Sequence, residues 1–321
     1  MLHVLKQRFL VGIPVLLAVS LLSFLFLKLS PGDFLDQLAL DPSVGEAFIA
    51  QERSRLGLDQ PWWQQYFIWL SHVIRGDLGR SFSYRIPVST LILSRAGNTL
   101  ILSVAAGVGT WLLAVPLGVV AALAQDRLWE RILRLLTYVG QAMPSFVVAI
   151  GLLFLAQNTG WFPVGGMTRV DFADLSWGEQ LLDLLHHLFL PAVALSLTSF
   201  AGLQRITRGS FLDVLRQEYL LAAECRGIPR WRRIGIHALR NAINPLVTLL
   251  GFEFASLLSG SFIAEFFFNW PGLGKLLLEA VQSYDINVVM AGLMMGAVML
   301  ILGNILADLA LQALDPRIPR S

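Results

Sequence analysis

Chemically useful side chains are scarce in the apolar parts of this 321-residue chain. Adjacent His186 and His187 lack the HExxH arrangement that sets two imidazoles on one helix face with a base between them, so they read as boundary residues near an outer surface. PGLGK at 271–275 faintly resembles a phosphate-cradling loop. However, Leu276 follows the lysine where Ser or Thr is needed, and Asn269 stands where the first glycine belongs. The single cysteine, Cys225, excludes an intramolecular disulfide and any CxxC metal or redox pair. Glu253 is the one acid deep in an apolar run, with Asp308 nearer the end of another. A buried carboxylate there serves a proton or solute path, or packs neutral at a helix contact. No catalytic, metal or nucleotide constellation emerges, and an enzyme is not expected.

The elements around these residues are membrane spans. Hydrophobic residues make up 55% and charged residues 14%, with mean hydropathy +0.65, whereas a soluble domain carries about 25% charge. Apolar runs cover 9–27, 99–124, 132–156, 188–200, 242–263 and 286–311. The fourth reaches the roughly 20 residues a span needs only with its flanks. The first run is too long for a signal-peptide core and ends at Lys28, so a retained span is expected. The chain is therefore read as an all-α polytopic membrane protein with six transmembrane helices.

Charge orients them. Arg127, Arg131 and Arg134 fall in one connector, while 157–187 carries Asp171, Asp174, Glu179 and Asp183 against Arg169. The next connector holds eight arginines, the following one only Lys275, and the tail is basic again. By the positive-inside rule both termini are cytoplasmic. The expected layout is an N-terminal transmembrane helix at 1–30, a periplasmic segment at 31–95, a five-helix core at 96–315 and a cytoplasmic tail at 316–321. Within 31–95, Pro61 opens a helix with Trp62, Tyr66 and Trp69 on one side, either at the membrane interface or packed on the first span. Pro116, Pro144 and Pro191 interrupt spans and permit kinks. Gly107, Gly109, Gly118, Gly140 and Gly151 suit close helix packing.

The arginine-rich loop, 205–240, is the main functional surface left. A helix is expected over 212–226, ended by Gly227-Ile228-Pro229, with a second amphipathic piece from Arg230 to Arg240. Such a loop lies on anionic lipid or docks a helix into another protein.

EYLLAAECRG at 218–227 followed by HALRNAINP at 237–245 resembles the EAA loop of permeases of binding-protein-dependent ABC importers, in the dipeptide/oligopeptide/nickel branch. The likeness extends to LGLDQP (56–61), RGDLGRS (75–81), GNTL (97–100), MPSF (143–146), LPA (190–192), WPGLG (270–274) and LDPR (314–317). Together they cover nearly the whole chain, and the long segment after the first span resembles a B-type subunit. The resemblance implies the ABC type I importer permease fold in a prokaryotic cytoplasmic (inner) membrane. It makes 218–226 the coupling helix, with Glu218, Tyr219, Ala222, Ala223, Arg226 and Gly227 contacting an ATPase. Leu221 stands where the general pattern has Glu, and Arg240 where many permeases have Pro. Also implied are a second, C-type permease, two cytoplasmic ATPase subunits that bind ATP and Mg, and a periplasmic or lipid-anchored substrate-binding protein. This chain would hold no cofactor. Its path would use Asn98, Pro144 and Glu253 to pass peptides or a related small solute, Glu253 favouring a cationic one. A proton-coupled secondary transporter using Glu253 is the alternative.

Overall fold

A computed structural model describes residues 2–29, 32, 34–39, 45–55 and 57–314; for 2–9, 37, 38, 307 and 310–314 only the backbone is described. The tail at 316–321 lies outside the described residues. The elements are α1 (Leu2–Leu29), α2 (Phe34–Leu38), α3 (Glu46–Arg55), α4 (Trp62–Ile74), α5 (Val88–Leu123), α6 (Leu128–Ala142), α7 (Ser145–Thr159), α8 (Trp177–Leu215), α9 (Glu218–Cys225), α10 (Arg230–Arg232), α11 (Leu239–Ala242), α12 (Asn244–Phe267), α13 (Leu273–Gln282) and α14 (Ile286–Leu314). Among the described residues there is no β-strand.

Five helices are long and apolar enough to cross a membrane, and α6 with α7 makes a sixth candidate, bent by 102°. The sequence reads 132–156 as one span with a kink permitted at Pro144, because hydropathy continues across the bend. Pro144 lacks an N–H and disfavours helical geometry in Met143 before it, so α6 stops and α7 restarts. Met143 is extended, with φ −80° and ψ 125°. The fourth run proves to be the longest helix. Ser176 and Glu179 form a reciprocal capping box at its start, and its 39 residues rise about 58 Å, well beyond a hydrocarbon core of about 30 Å. Arg205 and Arg208 therefore lie on α8 rather than in a loop.

The chain forms two compact units: Met1–Thr99 with Pro271–Ile301, and Leu100–Trp270 with Leu302–Ser321. In the first, Tyr66 of α4 is buried edge-on against Phe24 of α1, with ring centroids 5.6 Å apart, and shares a 2.9 Å hydrogen bond with Ser20. Trp69 packs beside them while Trp62, Trp63 and Phe67 stay exposed. Packing on the first span thus accounts for part of the aromatic stripe. Asp285, fully buried, accepts from the Ser81 hydroxyl, the Ser83 N–H and the Val288 N–H, tying the RGDLGRS loop to the start of α14.

In the second unit α8 packs against α6, α7 and α12. A Cβ at Gly118 of α5 would stand 2.6 Å from Thr207 and 2.9 Å from the Gln204 carbonyl of α8, so only glycine lets the two backbones approach this closely. Gly140 and Gly151 have open space around them.

Candidate functional site

The arginine-rich stretch folds into short helices stacked at the end of α8. The single helix expected over 212–226 is broken: α8 ends at Leu215, Gln217 is extended, and α9 begins at Glu218. Leu220 turns inward and joins Ala122, Phe211, Ala238 and Ala242 in one apolar cluster, and Ala223, one turn along the same side of α9, is buried as well. Their 100° helical spacing leaves Glu218, Tyr219, Leu221, Ala222, Cys225 and Arg226 exposed. Ala222 therefore provides the small residue on the open face, and Ala223 seats the helix on its own chain.

The end of α9 is sharply made. Gly227 has φ +73°, its N–H donates to the Glu224 carbonyl at 2.9 Å, and the Ile228 N–H donates to Ala223 at 3.1 Å. This is the 6→1 and 5→2 pair of a Schellman turn, which needs a left-handed residue at the glycine position. Pro229 then prevents continuation. Beyond it, α10 passes into a π-helical segment, Arg233–Ala238, and on into α11. This second piece braces the first. Arg233 pairs with Glu224 at 2.8 Å, and Asn241 donates to the Tyr219 hydroxyl at 2.8 Å and to the His237 carbonyl at 3.1 Å. Arg240 is exposed.

A buried ionic contact supports the base of this assembly. Glu130, in the first turn of α6, is 1% exposed, with Arg208 at 3.1 Å and Arg134 at 3.5 Å. The Arg208 approach is not aligned as a hydrogen bond, so the contact is coulombic. Glu130 is not singled out by the sequence analysis; its i,i+4 spacing to Arg134 is the signal that could find it.

The remaining sequence-selected residues fall elsewhere. Asn98 donates its amide to the Pro271 carbonyl at 2.8 Å. Pro144 is exposed at the α6–α7 bend. Glu253, on α12, is half-buried and hydrogen-bonded by Ser199 of α8. His187 is buried against Asp183, and His186 contacts the Trp161 carbonyl at 2.8 Å.

Helices of this order and a loop so built match known proteins along nearly the whole chain. Residues 114–320 fit the family model described as binding-protein-dependent transport system inner membrane component. Residues 1–103 fit the N-terminal membrane component of the same systems. The chain belongs to this family of inner-membrane components, with the ABC type I importer permease fold; it is a multi-pass inner-membrane permease.

Among curated relatives, the oligopeptide transport system permease protein AppB of Bacillus subtilis is 36% identical, covering 97% of this chain and 98% of its own. The dipeptide transport system permease protein DppB of Escherichia coli is also 36% identical, with 99% of both chains covered. The glutathione transport system permease protein GsiC of Salmonella choleraesuis gives the same identity and coverage. A solved chain of the MetNI methionine ABC transporter, inward-facing, superposes with TM-score 0.57 at 13% identity, covering 71% of this chain and 97% of that one. That last likeness speaks to fold.

Proposed function

We propose that this permease forms half of the translocation path of an ATP-driven importer of peptides or a closely related small solute, delivered by a separate binding protein. The relatives whose names specify oligopeptide, dipeptide and glutathione transport, each covering nearly the whole chain, carry the substrate class. The chain itself is non-catalytic: two ATPase subunits bind ATP and Mg, and a second permease of the C type completes the path. Asn98, Pro144 and Glu253 are the path residues proposed. Family membership favours this reading over a proton-coupled transporter.

The proposed topology places both termini and 205–240 on the cytoplasmic side, with 31–95 outside to receive the binding protein. The exposed face of α9, formed by Glu218, Tyr219, Ala222 and Arg226 with Gly227 at its end, fits a cleft in the ATPase. Ala223 supports it from behind. ATP binding closes the two ATPases, each carries its α9, and the long α8 passes the motion to the bundle. Transport follows as a population shift between inward- and outward-facing states that contact the ATPases differently.

The test is co-purification of the permease with its partners, followed by mass spectrometry of the small molecule on the binding protein. A short peptide or peptide-like solute is expected. Recovery of a sugar or an inorganic anion would overturn the substrate class.

A further inference from the structure

Four hydroxyls meet in one cleft of the second unit: Ser145 at the start of α7, Thr198 on α8, and Ser256 and Ser259 on α12. Thr198, Ser256 and Ser259 are exposed, although the large exposed residues of α12 are Phe252, Phe262 and Phe266. Polar groups on a membrane helix face a bundle interior or a water-filled path rather than lipid. Glu253 belongs to the same face. At 100° per residue, Glu253, Ser256 and Gly260 share one stripe of α12, and Glu253 lies about 5 Å along the axis from Ser256. Ser199, next to Thr198, hydrogen-bonds the carboxyl group, yet Glu253 Oε1 is buried with no hydrogen-bond partner.

A buried polar atom without a partner calls for an explanation. This one is an acceptor on the same stripe of α12 as Ser256, about one helical turn from the cleft whose hydroxyls accept as well as donate. We propose that Glu253 and the hydroxyl cleft form a station for a protonated amine or guanidinium group of the transported solute. The inference rests on the importer reading and names the chemistry of its path. The carboxylate takes one N–H of the cation, and Ser256, Ser259 and Thr198 accept others as the solute passes. An acidic solute is disfavoured because the carboxylate offers it no donor and repels it.

The experiment uses the complete complex in proteoliposomes with Cys225 replaced by Ser and a single thiol introduced by Ser256→Cys. Rates of modification by a trimethylammonium-ethyl and a sulfonato-ethyl methanethiosulfonate are compared, each scaled to its rate with a free thiol. The cationic reagent is expected to be favoured about tenfold. Adding Glu253→Gln should remove that preference, and Glu253→Asp should keep part of it. An unchanged ratio in Glu253→Gln, or no modification by either reagent in an assembled complex, overturns the proposal. If Ser256→Cys does not assemble, Thr198→Cys carries the same comparison. ATP hydrolysis stimulated by the binding protein is measured in the same vesicles. Its absence sinks the importer reading whatever the reagent ratio.

Discussion

The Ile228 N–H reaches back to the Ala223 carbonyl at 3.1 Å, closing α9 behind a left-handed Gly227. Beyond the adjoining backbone, no atom lies within 4 Å of a Cβ built on this glycine, so the demand at this position comes from the local backbone conformation rather than from packing. Replacement by Ala should cost about 1–2 kcal/mol locally, more for β-branched Val and less for Asn, which tolerates this region. Initial rates of ATP-driven uptake should therefore fall in the order Gly, Asn, Ala, Val at equal membrane abundance. Equal rates in all four would remove the turn from the account of coupling.

Glu130 is buried between α6 and α8 against Arg208 and Arg134. Glu130→Ala strands a partly buried guanidinium and should destabilise the detergent-solubilised protein by up to about 3 kcal/mol. Adding Arg208→Met should recover most of the loss, because a buried pair replaced by apolar groups is close to neutral. Thermal unfolding of the three proteins decides it: equal loss in the single and double variants would show that the contact does not pin α6 to α8.

Tyr84 donates its hydroxyl to Glu279 at 2.7 Å. Burial, then the Glu279 contact, pushes its pKa from 10.0 up to about 12. The native state holds this proton after the unfolded chain has lost it. The contribution to stability is therefore complete below pH 10 and is lost as pH rises from 10 to about 12. The stability difference between wild type and Tyr84→Phe should shrink across that window. A difference independent of pH from 9 to 12 would contradict the link.

Apolar runs and turn chemistry revealed most of the architecture, because span lengths and the Gly227-Ile228-Pro229 stop depend on local composition. Pro144 marks a possible kink, but a full 102° break between α6 and α7 is not legible because hydropathy averages across Met143 and Pro144, even though Glu130, Arg131 and Arg134 mark α6 as amphipathic. Arg205 and Arg208 looked like loop residues. They are helical because α8 gains stability from packing on α6 and α12, which no local pattern records. The π segment Arg233–Ala238 and the inward turn of Leu220 likewise follow from how α9, α11 and α8 pack together. The role of Asp285 is not legible in the sequence, since its partners Ser81 and Ser83 are some 200 positions away.

The central claim is that the open face of α9 docks on a separate ATPase. A photo-crosslinking residue placed in turn at Leu220, Leu221, Ala222 and Ala223 of the co-expressed complex tests it most directly. Capture of the ATPase subunit from Leu221 and Ala222, but not from the inward Leu220 and Ala223, is the predicted result. Capture from none of the four in a complex that still co-purifies and hydrolyses ATP, or from the inward pair alone, would contradict it.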